Sequence, residues 1–248
     1  THGVVVDYKG GGEATVYAST QGTFSVSGDA AEILGLKEPD VTALVEHMGG
    51  GFGSKFGLDI PGDIACQLSK ETGRPVHLLL DRKGEFSMVG NRSAGWQRVK
   101  AGCDASGKLL GMQAEIETYG GLGRGSNPGL PYIYDVEAYS RVQASVMMNT
   151  DSSRAMRAPG HPQASFAMES VVDELAYEVG VDPLEVRKLN LSDPVYHRQL
   201  DRVAAEIGWS LHENKTMPGS GDGWTATGIG FAVATWGGGG RPVCQVEV

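Results

Sequence analysis

Apolar residues cluster in two short β-rich runs at the start of the chain, GVVVDY (3–8) and ATVYAS (14–19), with the glycine turn KGGGE between them. β-branched residues on either side of such a turn predict a hairpin. From Ser27 to Leu36 the spacing becomes helical: Ala30, Ala31, Ile33 and Leu34 follow Ser27 or Asp29 as cap. VTALVEHM (41–48) predicts a strand. Pro61 to Thr72 predicts an amphipathic helix with Pro61 in its first turn, Ile64, Ala65 and Leu68 on one face, and Gly73 as its stop. VHLLLD (76–81) is an apolar strand. QRVKAGCD (97–104) and KLLGMQAEIETY (108–119) form a hairpin across ASG.

GGLGRGSNPGLP (120–131) reads as a loop and YSRVQASVMMN (139–149) as a strand. A long helix from Pro162 to Val179 has Phe166, Val171, Val172, Leu175 and Val179 as its apolar stripe. Asp182-Pro183 and Asp193-Pro194 start two more helices, each with an acidic cap and a proline in the first turn. ENKTMPGSGDGWTA (213–226) is a polar linker, and GIGFAVATW (228–236) begins a new element. Strands and helices mix without regular βαβ alternation, so the class is α+β.

The chain has 248 residues, enough for one large domain or two small ones. Its net charge of −9 argues against a nucleic-acid surface, which needs clustered Lys and Arg. No apolar run reaches the roughly 18 residues of a membrane span. The cysteines, Cys66, Cys103 and Cys244, are far apart without a CxxC pair, which argues against a zinc site or iron–sulfur cluster in this chain. Sequons stand at Asn91, Asn190 and Asn214. The chain opens in a strand without Met and stops in the strand-like CQVEV, so a longer parent chain is expected on both sides.

The stretch HMGGGFGSK (47–55) is the chemical clue. Glycine this dense costs backbone entropy, so something must approach that backbone closely. Gly53-Ser54-Lys55 inverts the Gly-Lys-Ser/Thr order of a P-loop, and neither Gly49-x-Gly51 nor Gly51-x-Gly53 has the third glycine of a dinucleotide fingerprint. A strand ending in Gly-Gly-Gly-Phe-Gly still offers unshielded N–H groups to an anionic or metal-bound oxygen. Arg157, in AMRAPG just before a helix start, is a second candidate anion-binding group.

Together STQGTFSV (19–26), MGGGFGSK (48–55), TGRPVHLLLDR (72–82), SSRAMRAPGHPQASFAMESVVDELA (152–176) and GVDPLEVRKLN (180–190) occur in an order that resembles the molybdenum-binding subunit of the xanthine dehydrogenase and aldehyde oxidase family. Thr1-His2-Gly3 looks like the end of that family's Met-Glu-x-His signature. The likeness is strongest to bacterial aldehyde oxidoreductases with separate subunits. It implies a molybdenum–molybdopterin cofactor, with the cytosine dinucleotide form as an alternative, and partner subunits carrying FAD and 2Fe–2S clusters. It also implies oxidation of an aldehyde or small N-heterocycle with water-derived oxygen. Molybdenum would be held through the pterin rather than by a side chain.

Residue by residue, the resemblance implies that Gln21 donates to the oxo group of molybdenum. Gly51, Phe52 and Gly53 would present N–H groups to the cofactor, with Phe52 walling the site. Arg157 would stabilise a developing oxyanion. Phe52, Phe56, Met156 and Pro159 would line the substrate pocket. Purine-oxidising relatives carry Glu where Phe56 stands, and aromatics where Met156 and Pro159 stand, which argues against a purine. Carbon monoxide dehydrogenases place a copper-binding Cys in the loop that 150–160 matches, and none is present.

The family's general-base Glu, in a Gly-x-Gly-Glu context, has no counterpart after Arg157, so the 248 residues alone are expected to be inactive. Glu169 and Glu174 read as structural or surface helix carboxylates. The implied domains are 1–215 for the first cofactor-binding domain, 216–226 for a linker and 227–248 for the start of the second. The implied compartment is the cytoplasm, or the periplasm by export with a partner. A non-catalytic scaffold that binds a partner subunit is the competing reading.

Overall fold

The computed structural model describes residues 1–211, 223–225 and 228–236. Asn214, Cys244 and most of the expected linker lie outside the described residues. The chain divides into two compact units: 1–93 with 119–126 and 146–157, and 94–118 with 127–145 and 158–248.

In the first unit β1 (Gly3–Tyr8) and β2 (Ala14–Ala18) form the expected hairpin, paired antiparallel with Val5 opposite Tyr17. β3 (Val41–Leu44) joins β2 in parallel, and β4 (Val76–Leu79) joins β1 antiparallel, giving the order β3-β2-β1-β4. Helices α1 (Thr23–Leu34) and α2 (Asp59–Thr72) cover one sheet face. Val4, Val6, Ala14 and Val16 meet Val26, Ala30, Ala31, Leu34, Ala65 and Cys66 there in one core. A six-residue helix, α3 (Arg82–Ser87), completes the unit, capped by Asp81, whose Oδ1 accepts from the Gly84 N–H at 2.7 Å.

Two sequence expectations change here. α1 begins at Thr23 rather than Ser27. Ser27 is buried inside it and returns its hydroxyl to the Thr23 carbonyl at 3.0 Å, while Asp29 accepts the Leu58 N–H at 2.9 Å. In α2 the residues expected to face the core, Ile64 and Leu68, are exposed. The inner face is made of small residues, Gly62, Ala65, Cys66 and Ser69, which let the helix lie close to the sheet. Ser69 fixes that contact, accepting from Tyr8 N–H at 3.1 Å and donating to the Arg74 carbonyl at 2.9 Å.

In the second unit β5 (Ala94–Cys103), β6 (Leu109–Tyr119) and β7 (Ala138–Val146) form a three-stranded sheet in that order. Its helices are α4 (His161–Val179), α5 (Pro183–Leu189) and α6 (Pro194–Glu206). Met112, Ala114 and Ile116 bury one face of β6 in a core shared with Ala164, Met168, Val172 and Ala176 of α4. Phe166, expected in that stripe, is exposed. Asp182 and Asp193 cap α5 and α6 as expected, accepting from Leu184 and Val195 N–H groups.

The second unit also buries a charged group. Arg187 bonds Glu169 and Asp173, and donates to the carbonyls of Pro183 and Phe231. Tyr134 Oη donates to the other oxygen of Glu169 at 2.7 Å. Burial pushes the Glu169 carboxyl up, against the pull of Arg187. Glu169 is therefore structural, and Glu174 is exposed. Asn190 is buried and spends its amide on Leu109, Gly107 and Val186, so its sequon is closed in the fold. Residues 228–236, expected to open another element, carry no helix or strand. Their Phe231 and Val233 are buried in this unit's core.

Candidate functional site

β3 ends at Leu44, and the glycine stretch that follows turns back toward the end of β2 in the first unit. The turn is built by Gln21. Its backbone N–H donates to the Lys55 carbonyl at 2.7 Å. Its side-chain Oε1 accepts the Gly53 N–H at 2.9 Å. An amide that accepts through oxygen must point its NH₂ group elsewhere, and Gln21 Nε2 has no partner among the described residues.

The glycines are required by the protein itself. A Cβ on Gly51 would stand 2.4 Å from the Gln21 side chain. On Gly53, whose φ is +98°, it would stand 1.8 Å from the Ala155 carbonyl oxygen. The close neighbours at these two positions are thus Gln21 and the 154–157 segment, where the resemblance placed the cofactor. The Gly53 N–H, expected to face the cofactor, is used by Gln21.

The 154–157 segment is fastened at several points. Arg157 N–H donates to the Phe52 carbonyl at 2.7 Å, and Arg154 N–H to the Asn91 carbonyl at 2.8 Å. Arg154 Nη2 pairs with Asp59 Oδ1 at 2.6 Å, and Arg92 Nη2 donates to the Arg157 carbonyl at 2.7 Å. Phe52 and Asp59 are the non-glycine residues of the first unit with left-handed φ, +53° and +58°. Each such residue costs about 1–3 kcal/mol and persists only where neighbours over-determine it. Both are held by this one segment, Phe52 through its carbonyl and Asp59 through its carboxylate.

Under the turn lies a buried polar layer. Lys55 is 2% exposed and spends its three N–H donors on Thr1 O, Thr1 Oγ1 and Ser19 Oγ, at 2.9, 3.1 and 2.7 Å. Burial pulls its ammonium pKa down. His2 bridges Glu85 Oε2 and Ser54 Oγ at 3.0 and 2.9 Å. A carboxylate only accepts, so Nδ1 carries a proton toward Glu85, while Nε2 faces the Ser54 hydroxyl at 2.9 Å and the Ser54 carbonyl at 3.4 Å. Burial holds the His2 pKa below its usual value, against the Ser54 carbonyl, which raises it. The carboxylate–imidazole–hydroxyl order resembles a hydrolase triad, but Ser54 is only 8% exposed and its neighbours make it a fastening.

Of the residues singled out in the sequence, the first unit brings together Gln21, Gly51, Phe52, Gly53, Phe56, Met156 and Arg157 on the turn and the segment bonded to it. Phe52 and Phe56 are exposed, and Met156 is half-buried. The Arg157 side chain is exposed and has no ion pair or hydrogen bond among the described residues. Pro159 belongs to the second unit. Sequence reading missed Arg154, Arg92, Asp59 and the His2–Glu85 pair. Only His2 carried a signal, as part of the Thr-His-Gly opening. Among the described residues no group of three or more His, Cys, Asp or Glu could hold a metal ion, and no helix is long and apolar enough to cross a membrane.

Residues 1–191 match the molybdopterin cofactor-binding domain family. A probable aldehyde oxidase 2 of Oryza sativa subsp. japonica is 32% identical over 187 residues, covering 72% of this chain and 14% of its own length. A nicotinate hydroxylase of Emericella nidulans is 30% identical over 201 residues, covering 76% of this chain and 15% of its own. The solved aldehyde oxidoreductase of Desulfovibrio gigas superposes with a TM-score of 0.73 at 25% identity, over 85% of this chain and 25% of that one. The chain thus spans about a seventh of the length of the curated relatives it matches.

Proposed function

The chain belongs to the molybdopterin cofactor-binding domain family of the aldehyde oxidase and xanthine dehydrogenase enzymes, and from that premise we propose that it forms part of the active site of a molybdenum hydroxylase acting on an aldehyde. The observation that carries this reading is the Gln21 amide. Its oxygen is locked by Gly53, its NH₂ group is free, and the exposed Arg157 is bonded through its backbone to the adjacent Phe52. That donor set suits a group rich in anionic oxygens. When bound, the pterin-held molybdenum supplies the two-electron oxidation and the water-derived oxygen.

This chain's own residues then have separate tasks. Gln21 Nε2 donates to an oxygen of the cofactor. Preorganised donors of this kind stabilise charge without reorganising during the reaction. Arg157 stands ready to stabilise negative charge developing on the substrate oxygen. Phe52 and Phe56, with Met156 beside them, present apolar surface that excludes water and accepts an uncharged aldehyde. The proton-abstracting carboxylate is assigned to a residue outside these 248.

A small N-heterocycle is the second substrate class, favoured by the nicotinate hydroxylase relative. The pterin carries either a plain phosphate or a cytosine dinucleotide. FAD-binding and 2Fe–2S subunits would take the electrons, in the cytoplasm or, after export with a partner, the periplasm. The test is to express the complete reading frame with its neighbouring genes, measure molybdenum, and assay aldehydes against N-heterocycles. Molybdenum with aldehyde turnover supports the proposal. A complete, folded polypeptide with no molybdenum would favour a non-catalytic scaffold, and turnover by the 248 residues alone would overturn the assignment of the base.

A further inference from the structure

Asp59 opens α2, but its carboxylate serves another part of the fold. An acidic residue at a helix start ordinarily turns toward the helix's own N–H groups. α2 has no side-chain cap, and Asp59 holds a left-handed φ of +58°. Its side chain, 10% exposed, goes instead to Arg154, far along the chain. The neighbourhood is acidic: burial, then the charges of Asp29 and Asp59, push the Asp63 carboxyl up. Arg154 brings the paired cation. Two local preferences of the helix start, its cap and its φ, are thus given up for one distant contact. Conflicts of this kind persist where neighbours over-determine them, and they gather at functional sites.

Arg154 is fixed through each of its parts. Its backbone N–H donates to the Asn91 carbonyl, and its carbonyl accepts the Met156 N–H at 2.8 Å, in a three-residue turn about Ala155. Its aliphatic stem lies over Gly90, whose φ is +73° and where an added Cβ would come within 2.1 Å of Arg154 Cγ. The guanidinium reaches Asp59. The turn aims the Ala155 carbonyl at Gly53, and two residues later Arg157 N–H meets the Phe52 carbonyl. Arg154 and Arg157 therefore share a charge but not a task. One is pinned in the fold, and the other has its guanidinium free among the described residues.

We infer that the Asp59–Arg154 ion pair is a positioning device that fixes where Arg157 presents its guanidinium beside Phe52. The inference rests on the role proposed above for Arg157. A group that stabilises developing charge must stand where that charge appears, and a small misplacement costs rate more than binding. The pair acts through the backbone of Ala155 and Met156. Asp59 is a positioning residue in this scheme and touches neither cofactor nor substrate.

The test is made in the complete polypeptide, with molybdenum content measured separately. Asp59→Asn keeps the size of the side chain and its tolerance of a left-handed φ while removing the charge. The Arg157 amide, read by fragmentation mass spectrometry, should exchange several-fold faster while the amides of β1 and β2 keep their protection. For the aldehyde, kcat should fall by about 10- to 100-fold, with KM changed by less than about twofold and molybdenum retained. Arg154→Met should give the same pattern, and the double variant should be no slower than the slower single one, because the two residues act as a unit. Arg154→Lys, whose ammonium still reaches Asp59, should recover most of the loss. Unchanged Arg157 exchange in both single variants would overturn the inference. So would losses that multiply in the double variant, molybdenum lost together with rate, or full turnover in Asp59→Asn where Arg157→Met is slow. Faster Arg157 exchange with full turnover in Asp59→Asn and in Arg157→Met alike would leave the positioning established and overturn the role proposed for Arg157 alone.

Discussion

The Phe52 carbonyl oxygen accepts the backbone N–H of Arg157 at 2.7 Å, joining the glycine stretch to a segment far along the chain. The bond leaves the two side chains exposed while fixing the backbones that carry them. Functional residues are disproportionately carried on loops positioned by a rigid scaffold, and the roles proposed for Phe52 and Arg157 would rely on this joint.

Gly53 tests that joint. An alanine there must adopt a φ of +98° and would drive its Cβ into the Ala155 carbonyl. Gly53→Ala should therefore cost about 3 kcal/mol or more. Gly49 has nothing within 4 Å of an added Cβ, so Gly49→Ala should change stability by less than about 0.5 kcal/mol. Urea unfolding of both variants decides it. Equal stabilities would show that the 154–157 segment does not press on Gly53.

Gln21→Glu separates fold from chemistry. The carboxylate can still accept the Gly53 N–H, so the thermal midpoint should move by less than about 2 °C. The outward NH₂ group becomes an acceptor and repels an oxo group. In the complete enzyme kcat should fall by about 10²–10³-fold. A variant that turns over normally would remove Gln21 from the proposed site.

Arg157→Met makes the complementary comparison. The side chain is exposed and has no described partner, so the isolated chain should lose less than about 0.5 kcal/mol. In the complete enzyme kcat/KM for the aldehyde should drop, with molybdenum content retained. If the variant unfolds instead, Arg157 has a structural role that the fold does not explain.

The sequence carried the hairpin and both aspartate-capped helices, because each depends on neighbours in the chain. It did not carry what depends on distant contacts. Ile64 and Leu68 make a regular helical stripe, yet α2 turns its small face inward because Ser69 bonds Tyr8 and Arg74. The glycine motif was legible as a close approach, but nothing local says that Ala155 and Gln21 are the approaching groups. Arg154 stands three residues from Arg157 with the same chemistry, and only the fold shows that one pairs with Asp59 while the other stays open.

Cys66 and Cys103 should differ in reactivity. Burial, then Asp63, pushes the Cys66 thiol up to about 12. At pH 8 its thiolate fraction is about one part in ten thousand, and the thiolate is the reactive form. Cys103 is half-buried and its pKa is raised, first by burial and then by Asp104. A maleimide pulse on the native chain, read by peptide mass spectrometry, should label Cys103 slowly and Cys66 only after denaturation. Native labelling of both at one rate would mean that the α2–sheet core opens readily.

Arg187→Met should be the most costly of these changes, and its cost should depend on pH. The substitution strands Glu169, which is 6% exposed, with Tyr134 as its remaining side-chain partner. Breaking a buried pair from one side costs about 3–5 kcal/mol. The Glu169 pKa is already raised by burial, and without Arg187 it rises further. A carboxyl whose folded pKa lies above its unfolded value binds more protons in the fold. It adds stability at low pH and loses it as pH rises from the unfolded value through the folded one. The variant should therefore be least stable near neutrality and regain stability on acidification, in the range where the parent, with its smaller shift, changes less. Glu169→Gln combined with Arg187→Met should remove that recovery and restore part of the loss at neutral pH. Urea melts of the three proteins from neutral pH down to about pH 5 give the comparison. A pH-independent loss in the single variant would place the cost in the broken Phe231 and Pro183 bonds rather than in the uncompensated charge.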